Sequence, residues 1–514
     1  MFPLVHELDS PPRPAAALAA VSHLPGVLLL ESVLQTPGTG QFSFLVAEPW
    51  QWFQLQQAEY GLDPFAGIRA AMQGMEAEHL SDLPPFQGGA AGLLSYELGG
   101  CFERLPVPAV DEFALPVLAV GLYDSVVAWN HHTGQAWIIS QGFPEISPRA
   151  RKQRAEEQLR RWQVRLDHVN SSADGSTSPD GQTADSPSRH GSSANPTAAA
   201  ASLKSDSGRA SRAAWPVESL PGITVPSALC SNFTRPAYEA AVARVIEHIA
   251  AGDIFQANLS QRMSLPVTAT PLELYQRLRE TNPAPLAGYL NRGDWAVVSS
   301  SPERFLQIQG TTVETRPIKG TRGRRHRPEA DLFSLDELRE SSKDQAENVM
   351  IVDLLRNDLS RACRPGTIRV PQLCEVESYQ TVQHLVSVVT GELREEATAW
   401  DLLAATFPGG SITGAPKVRA MEIIASLEPT VRGPYCGSLF YCGFDGWMDS
   451  SILIRTLVHR DGIAHCSAGG GIVAMSSPAD EYEETMHKAA GMLQVLADFS
   501  PGAPAKTAGR EPQR

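Results

Sequence analysis

The chain has 514 residues, of which 42% are hydrophobic, enough to bury a large core in a globular protein. Its formal net charge of -14 argues against a general nucleic-acid or membrane-surface binder, either of which needs a basic face, and favours small-molecule chemistry. Seven scattered cysteines without a Cys-x-x-Cys pair predict reduced thiols in cytoplasm, and neither a basic-then-apolar leader nor an apolar run of roughly 18 residues predicts export or a membrane span.

Residues 1–165 alternate short apolar runs (26–32, 42–47, 137–139) with turn residues and predict strands of a mostly antiparallel sheet. Gly88, Gly89 and Gly92 mark a backbone that passes close either to a neighbouring strand or to a bound ligand. The Arg- and Glu-rich stretch 148–165, with Ala155, Leu159 and Trp162, predicts an exposed helix. Composition then shifts to Ser, Ala, Asp, Gly and Pro. Segment 166–230 is expected to be a disordered linker, because it offers too little apolar surface to offset the entropy of ordering.

The second half, 231–500, opens on a helix capped at Thr234, with Tyr238, Val242, Val245, Ile246 and Ile249 at helical spacing. An alternating strand follows over 253–262, whose polar row of Gln256, Asn258, Ser260 and Arg262 faces either solvent or a site. The strand 295–301 runs into Glu303, which is either one half of a surface pair with Arg304 or a catalytic acid.

The stretch 314–325 places Pro317, Lys319, Gly320 and Thr321 among Arg316, Arg322, Arg324 and Arg325, an anion-facing loop with a candidate nucleophile or else a solvated basic turn. Holding a lysine amine neutral near pH 7 costs roughly 4–5 kcal/mol unless the surroundings depress it, and those neighbouring cations are one means.

One helix is expected over 334–362, with Glu340, Asp344 and Glu347 on one face, a solvated stripe or a carboxylate over a metal. The glycine-rich loop 408–417 feeds a helix and is not a Walker A motif. The strand 451–458 contains Arg455, which needs a carboxylate or phosphate partner; 468–472 exposes backbone amides. The last helix starts at Ser477 and Pro478 and sets Glu484 one turn from Lys488, and 501–514 is expected to be a frayed tail.

Together, segments 252–262, 301–305, 317–321, 347–358, 384–387, 408–417, 455–456 and 481–485 resemble the chorismate-utilising enzyme family. The resemblance implies an α/β fold of the α+β type, with antiparallel sheets packed together, helices outside, and one site between them. It implies that Glu347 and Glu484 hold a Mg²⁺ for the ring carboxylate of chorismate. Arg455 and Tyr435, with the amides of Gly470 and Gly471, would hold the enolpyruvyl carboxylate; Lys488 would add charge; Gly320, Thr321 and His384 complete the substrate site.

Two positions select a branch of that family. Members that add water carry Lys where this chain has Gln256, and anthranilate-forming members read Pro-Ile-Ala-Gly-Thr where this chain reads Pro-Ile-Lys-Gly-Thr. The resemblance thus implies amination at C4. Glu303 protonates the departing 4-hydroxyl, Lys319 attacks C2, and ammonia then expels Lys319. No cysteine lies in a Gly-x-Cys-x-Gly elbow, so ammonia is expected from a separate glutamine amidotransferase subunit or from solution. Segment 29–32, ending at Ser32, resembles one that frames a tryptophan pocket, although 282–287 departs from the usual Pro-Ser-Pro-Tyr-Met version. The competing readings are an anthranilate-forming enzyme and a catalytically silent amino-acid-binding regulator; the full acid, metal and nucleophile set argues against the second.

Overall fold

The structure, a computed structural model, describes residues 2–36, 38–173, 214–324, 328–378 and 382–502. Two sheets carry the fold, and every strand pair in them is antiparallel. The larger runs from Leu4–Glu7 through Ala136–Ser140, Ser125–Asn130, Phe42–Val46 and Val27–Glu31 to Leu286–Asn291, Trp295–Ser301, Thr456–Arg460, Ile463–Ile472 and Gln256–Pro266. The other begins at Ile318–Gly323 and Val382–Glu392 and passes through Arg304–Gln309, Met448–Ser451 and Ser438–Gly443 to Gly89–Leu94 and Leu118–Tyr123.

Central strands such as Val27–Glu31 and Leu118–Tyr123 are largely apolar because both faces are buried, and their successive side chains enter different cores, whereas the edge strand Arg369–Ser378 alternates towards water. In Val27–Glu31, Val27 and Leu29 pack beneath helices while Leu28 points between the sheets, where it meets Phe44, Leu93, Leu439 and Tyr441. In Leu118–Tyr123, Val120 and Leu122 face the helices on the other side. The layers therefore run helix, sheet, sheet, helix, as expected for antiparallel sheets with outer helices.

Segments 1–165 and 231–500 share both sheets: Val27–Glu31 pairs with Leu286–Asn291, and Gly89–Leu94 with Ser438–Gly443. In Gly89–Leu94, Gly89 serves this pairing, since a Cβ on it would lie 2.2 Å from the Cys442 carbonyl oxygen, and Gly92 serves the pairing with Leu118–Tyr123, where a Cβ would lie 2.1 Å from the Ala119 carbonyl oxygen. Helix Pro148–Ala173 buries Ala155, Trp162 and Leu166 and turns its charged stripe, together with Val164, towards water. Within 166–230, residues 214–230 supply the edge strands Trp215–Pro216 and Cys230–Ser231; residues 174–213, like the tail from 503, lie outside the described residues.

Helix Arg235–Ala250 starts as read, with Thr234 Oγ1 accepting the Ala237 amide at 3.2 Å. The expected helix over 334–362 is instead two, Pro328–Glu340 and Ser342–Ser360. Ser341 adopts an extended conformation between them and caps the second, so Glu340 leaves the face that Asp344 and Glu347 share. All seven cysteines are free thiols, and no helix among the described residues is long and apolar enough to cross a membrane.

Candidate active site

A cavity of about 530 Å³ opens where the two sheets diverge, beside helix Ser342–Ser360 and the C-terminal helix Pro478–Asp498. Glu303, Lys319, Gly320, Glu347, His384, Tyr435, Arg455, Gly470, Gly471, Glu484 and Lys488 all line it, although they come from eight separate stretches of sequence.

Lys319 is aimed by a bulge. In the ladder between Ile318–Gly323 and Val382–Glu392, Lys319 stands opposite Leu385 and Thr321 opposite His384, leaving Gly320 as the extra residue at φ +61°. The bulge keeps Lys319 turned into the cavity, where its Nζ lies 3.4 Å from the Ser411 carbonyl oxygen. Thr321 is placed by its backbone; its side chain and Arg325 lie outside the described residues.

Burial lowers the Lys319 amine from its ordinary value, with Lys488 assisting, while Glu347 and Glu303 oppose. Of the neighbouring cations offered as one means, Arg316, Arg322 and Arg324 are not the operative cause. Arg316 pairs with Glu377 at 2.7 Å, Arg322 with Glu337 and Asp344, and Arg324 with Asp331, so their charges are met locally.

Glu303 is buried, and Arg304 turns away from it to grip Asp449 through two bonds of 3.0 and 2.9 Å, so the surface-pair reading fails. Ser411 Oγ donates to Glu303 Oε1 at 2.8 Å. Burial raises the carboxyl above its usual range despite Ser411, Lys319 and Lys488. Ser411 thus touches both candidate catalytic groups. Its only sequence signal was membership of the glycine-rich loop, and Asn258, also in the wall, was marked as part of a polar row.

Arg455 does not sit within a strand. It lies between Met448–Ser451 and Thr456–Arg460 at φ +51°, a conformation uncommon for a side-chain-bearing residue. Burial depresses its guanidinium, and among the described residues no carboxylate pairs with it. Such a cation in a cavity wall awaits an anion from outside. The adjacent His384 is pushed down to about 4, first by burial and then by Arg455, so its imidazole is neutral.

The opposite end is acidic. Lys488 Nζ is 2.6 Å from Glu484 Oε1 and also donates to the Gly469 carbonyl oxygen at 3.0 Å. Burial opposes ionisation of Glu484, but Lys488, Lys343 and Lys319 outweigh it and hold the carboxylate below its ordinary range. Glu347 is raised by burial, with Asp344 and Glu484 adding to the effect. Glu481, which the sequence reading left without a role, has a buried Oε2 with no partner among the described residues, and a Cβ on Gly470 would lie 2.9 Å from it.

No three His, Cys, Asp or Glu side chains among the described residues converge to enclose a metal. Glu347 and Glu484, two carboxylates in one cavity wall, nevertheless suit a hard cation that keeps water and substrate oxygens as its remaining ligands.

Ser32 lies elsewhere, in a cavity of about 190 Å³ lined by Phe42, Phe44, Pro285, Arg304 and Tyr441. Its hydroxyl donates to the Phe42 carbonyl oxygen at 2.6 Å, and its amide donates to Ser43 Oγ at 3.0 Å. Gln256 is buried with its amide against Gly471, at the margin of the catalytic cavity.

Comparison with known proteins agrees with this geometry. The pattern of the chorismate binding enzymes matches residues 31–494. Aminodeoxychorismate synthase component 1 of Salmonella typhimurium is 38% identical over 95% of this chain and 97% of its own. Anthranilate synthase component 1 of Streptomyces coelicolor is 39% identical over 91% of this chain and 83% of its own. Among solved structures, anthranilate synthase component I from Streptococcus pneumoniae TIGR4 matches with a TM-score of 0.66 at 28% identity, covering 90% of this chain and 93% of that one. Identity alone does not separate the two activities, but sequence, fold and site agree that the chain belongs to the chorismate-binding enzyme family.

Proposed function

We propose that the chain has aminodeoxychorismate synthase component 1 activity, converting chorismate and ammonia to 4-amino-4-deoxychorismate. The observation that carries this reading is the Lys319 amine, enclosed in the cavity and depressed by burial, with the raised carboxyl of Glu303 joined to the same Ser411. Acid catalysis needs a protonated Glu303 and attack needs a neutral Lys319; burial pushes each group towards the required form.

Glu303 gives its proton to the 4-hydroxyl, which leaves as water while the Lys319 nitrogen bonds to C2 and the ring double bonds shift towards C4. Ammonia then bonds to C4, the C2–N bond breaks, and Lys319 departs as the neutral amine. The new ammonium returns one proton to Glu303, so the enzyme is reset and the net change is chorismate plus ammonia to aminodeoxychorismate plus water. The enolpyruvyl group stays on, and its removal falls to a separate lyase on the route to p-aminobenzoate and folate.

Arg455 and Tyr435, with the Gly470 and Gly471 amides, hold the enolpyruvyl carboxylate, and Gly320, Thr321 and His384 flank the ring. Glu347 and Glu484 would hold Mg²⁺, which when bound supplies positive charge to the ring carboxylate. Glutamine-derived ammonia comes from a separate amidotransferase subunit, in keeping with the component 1 name of the relatives, in the cytoplasm. The Ser32 cavity takes tryptophan.

The test is to incubate the purified chain with chorismate, Mg²⁺ and ammonium salt, following products by mass and pyruvate release, with Lys319→Ala beside it. Aminodeoxychorismate without pyruvate, lost in the variant, supports the proposal. Anthranilate with pyruvate would instead favour the activity of the Streptomyces relative, and no turnover at high ammonium would favour a silent binder.

A further inference from the structure

A third cavity, of about 650 Å³, lies apart from both sites described above. Its inner wall is helix Lys417–Leu427, which presents Met421, Ile424 and Ala425. Its outer wall is the chain between the short 3-10 helix Tyr96–Cys101 and strand Leu118–Tyr123. That segment is pinned where the Val431 amide donates to the Val110 carbonyl oxygen at 3.0 Å and where Arg262 pairs with Glu112. Arg432 and Glu428 separate this cavity from the catalytic one: Arg432 donates to the carbonyl oxygens of Ile412 and Asn258, both in the catalytic wall.

Two polar groups in this apolar lining are unsatisfied. His465, 3% exposed, has an Nε2 with no hydrogen-bond partner among the described residues, and its ring is held by stacking on Phe113 with centroids 4.0 Å apart. Tyr96, 8% exposed, has a hydroxyl in the same condition. A buried polar atom without a partner is costly, so two in one cavity call for a ligand or water that supplies the missing bonds.

Charge restricts the ligand. Five carboxylates and three guanidiniums line the cavity; Arg262 is paired with Glu112 and Arg432 with Glu428, and Arg104 lies over the Tyr60 ring at 4.8 Å. The excess of carboxylates makes the lining net negative and unfavourable to an anion. Glu97 accepts the amides of Arg432 and Gly433 at 2.7 and 2.9 Å and retains lone pairs for a further donor.

We propose that this cavity is a further ligand site, which takes a flat heteroaromatic base, uncharged or singly cationic, whose faces pack on the apolar walls and whose ring-edge N–H groups meet His465 and Glu97. Burial, with Arg262 nearby, keeps the His465 ring neutral and able to accept, and burial raises Glu97 to about 7.

The experiment is calorimetric titration of the full chain with 2-aminobenzimidazole, in saturating chorismate without ammonia so that the catalytic cavity is filled, with benzoate as the anionic control. One site of micromolar to millimolar affinity for the base, and none for benzoate, is expected. His465→Phe keeps the stack on Phe113 but removes the nitrogen and should weaken binding about 10-fold, the size of one buried hydrogen bond. Ala425→Phe fills the cavity and should abolish binding, while ammonia-dependent turnover confirms that each variant is folded. No heat with the base, equal binding of benzoate, or unchanged binding in Ala425→Phe would each overturn the proposal, and if His465→Phe does not fold, the Ala425→Phe result decides alone.

Discussion

The bulge at Gly320 gives the sharpest prediction. Gly320 and Gly310 have nearly the same backbone angle, φ +61° and +62°, but a Cβ on Gly310 meets nothing within 4 Å. One on Gly320 would lie 2.7 Å from Leu338 Cδ1 and 3.1 Å from Asp344 Cγ. Alanine in the left-handed region costs roughly 1–2 kcal/mol at either position. Overpacking against the two helices adds about 1–3 kcal/mol at Gly320 alone. Urea denaturation followed by tryptophan fluorescence should therefore show Gly320→Ala less stable than Gly310→Ala by that second amount.

The functional effect should diverge further. Leu338 and Asp344 belong to packed helices, so the strand yields instead and carries Lys319 with it. A displacement of about 1 Å at a reacting group is enough to cost on the order of 100-fold in turnover. Gly310→Ala, in the turn joining Arg304–Gln309 to Thr312–Thr315, should turn over as the parent does. If Gly320→Ala matched Gly310→Ala in both stability and ammonia-dependent turnover, the bulge could not be what aims Lys319.

Glu303→Gln should remove the acid and lower turnover by about 10²–10⁴-fold. Because burial raises Glu303 in the folded chain, its stabilising contribution is complete below the unfolded value and is lost as pH rises through the folded value. Above that range Glu303→Gln should thus unfold at equal or higher urea, and a stability loss matching the activity loss would contradict this account. Arg455→Met should raise KM for chorismate roughly 10- to 100-fold, the size of a charge-assisted hydrogen bond, while leaving thermal stability intact because no carboxylate is abandoned; steady-state kinetics with a thermal melt checks both. EDTA should abolish turnover and Mg²⁺ restore it, with Glu484→Gln needing more Mg²⁺; full activity in EDTA would remove the metal from the proposal.

Much of the site was legible because its residues sit in short local signatures. Lys319-Gly320-Thr321 carries a bulge glycine beside a candidate nucleophile, and 408–417 is a loop whose glycines announce close approach. Other features were not legible. Arg455 read as a strand residue, since Ile452, Leu453, Ile454 and Leu457 around it are apolar; only the irregular backbone between two paired strands sets its angle. The break at Ser341 was equally hidden: serine is tolerated within helices and reads as a cap only once the chain turns there. Glu481 and Ser411 acquired meaning from what faces them across the cavity.

By itself, the sequence determined most of the strand and helix content, the chemical inventory of acid, amine and carboxylates, and the likeness to chorismate enzymes, because these depend on residue type and on spacing over a few turns. The tertiary structure alone decided what makes that inventory reactive. It showed that Lys319 is depressed by burial and not by Arg316, Arg322 and Arg324 beside it, which pair with Glu377, Glu337, Asp344 and Asp331. Desolvation depends on everything packed around a group, and those atoms come from strands and helices hundreds of residues apart, so no local window of sequence contains it.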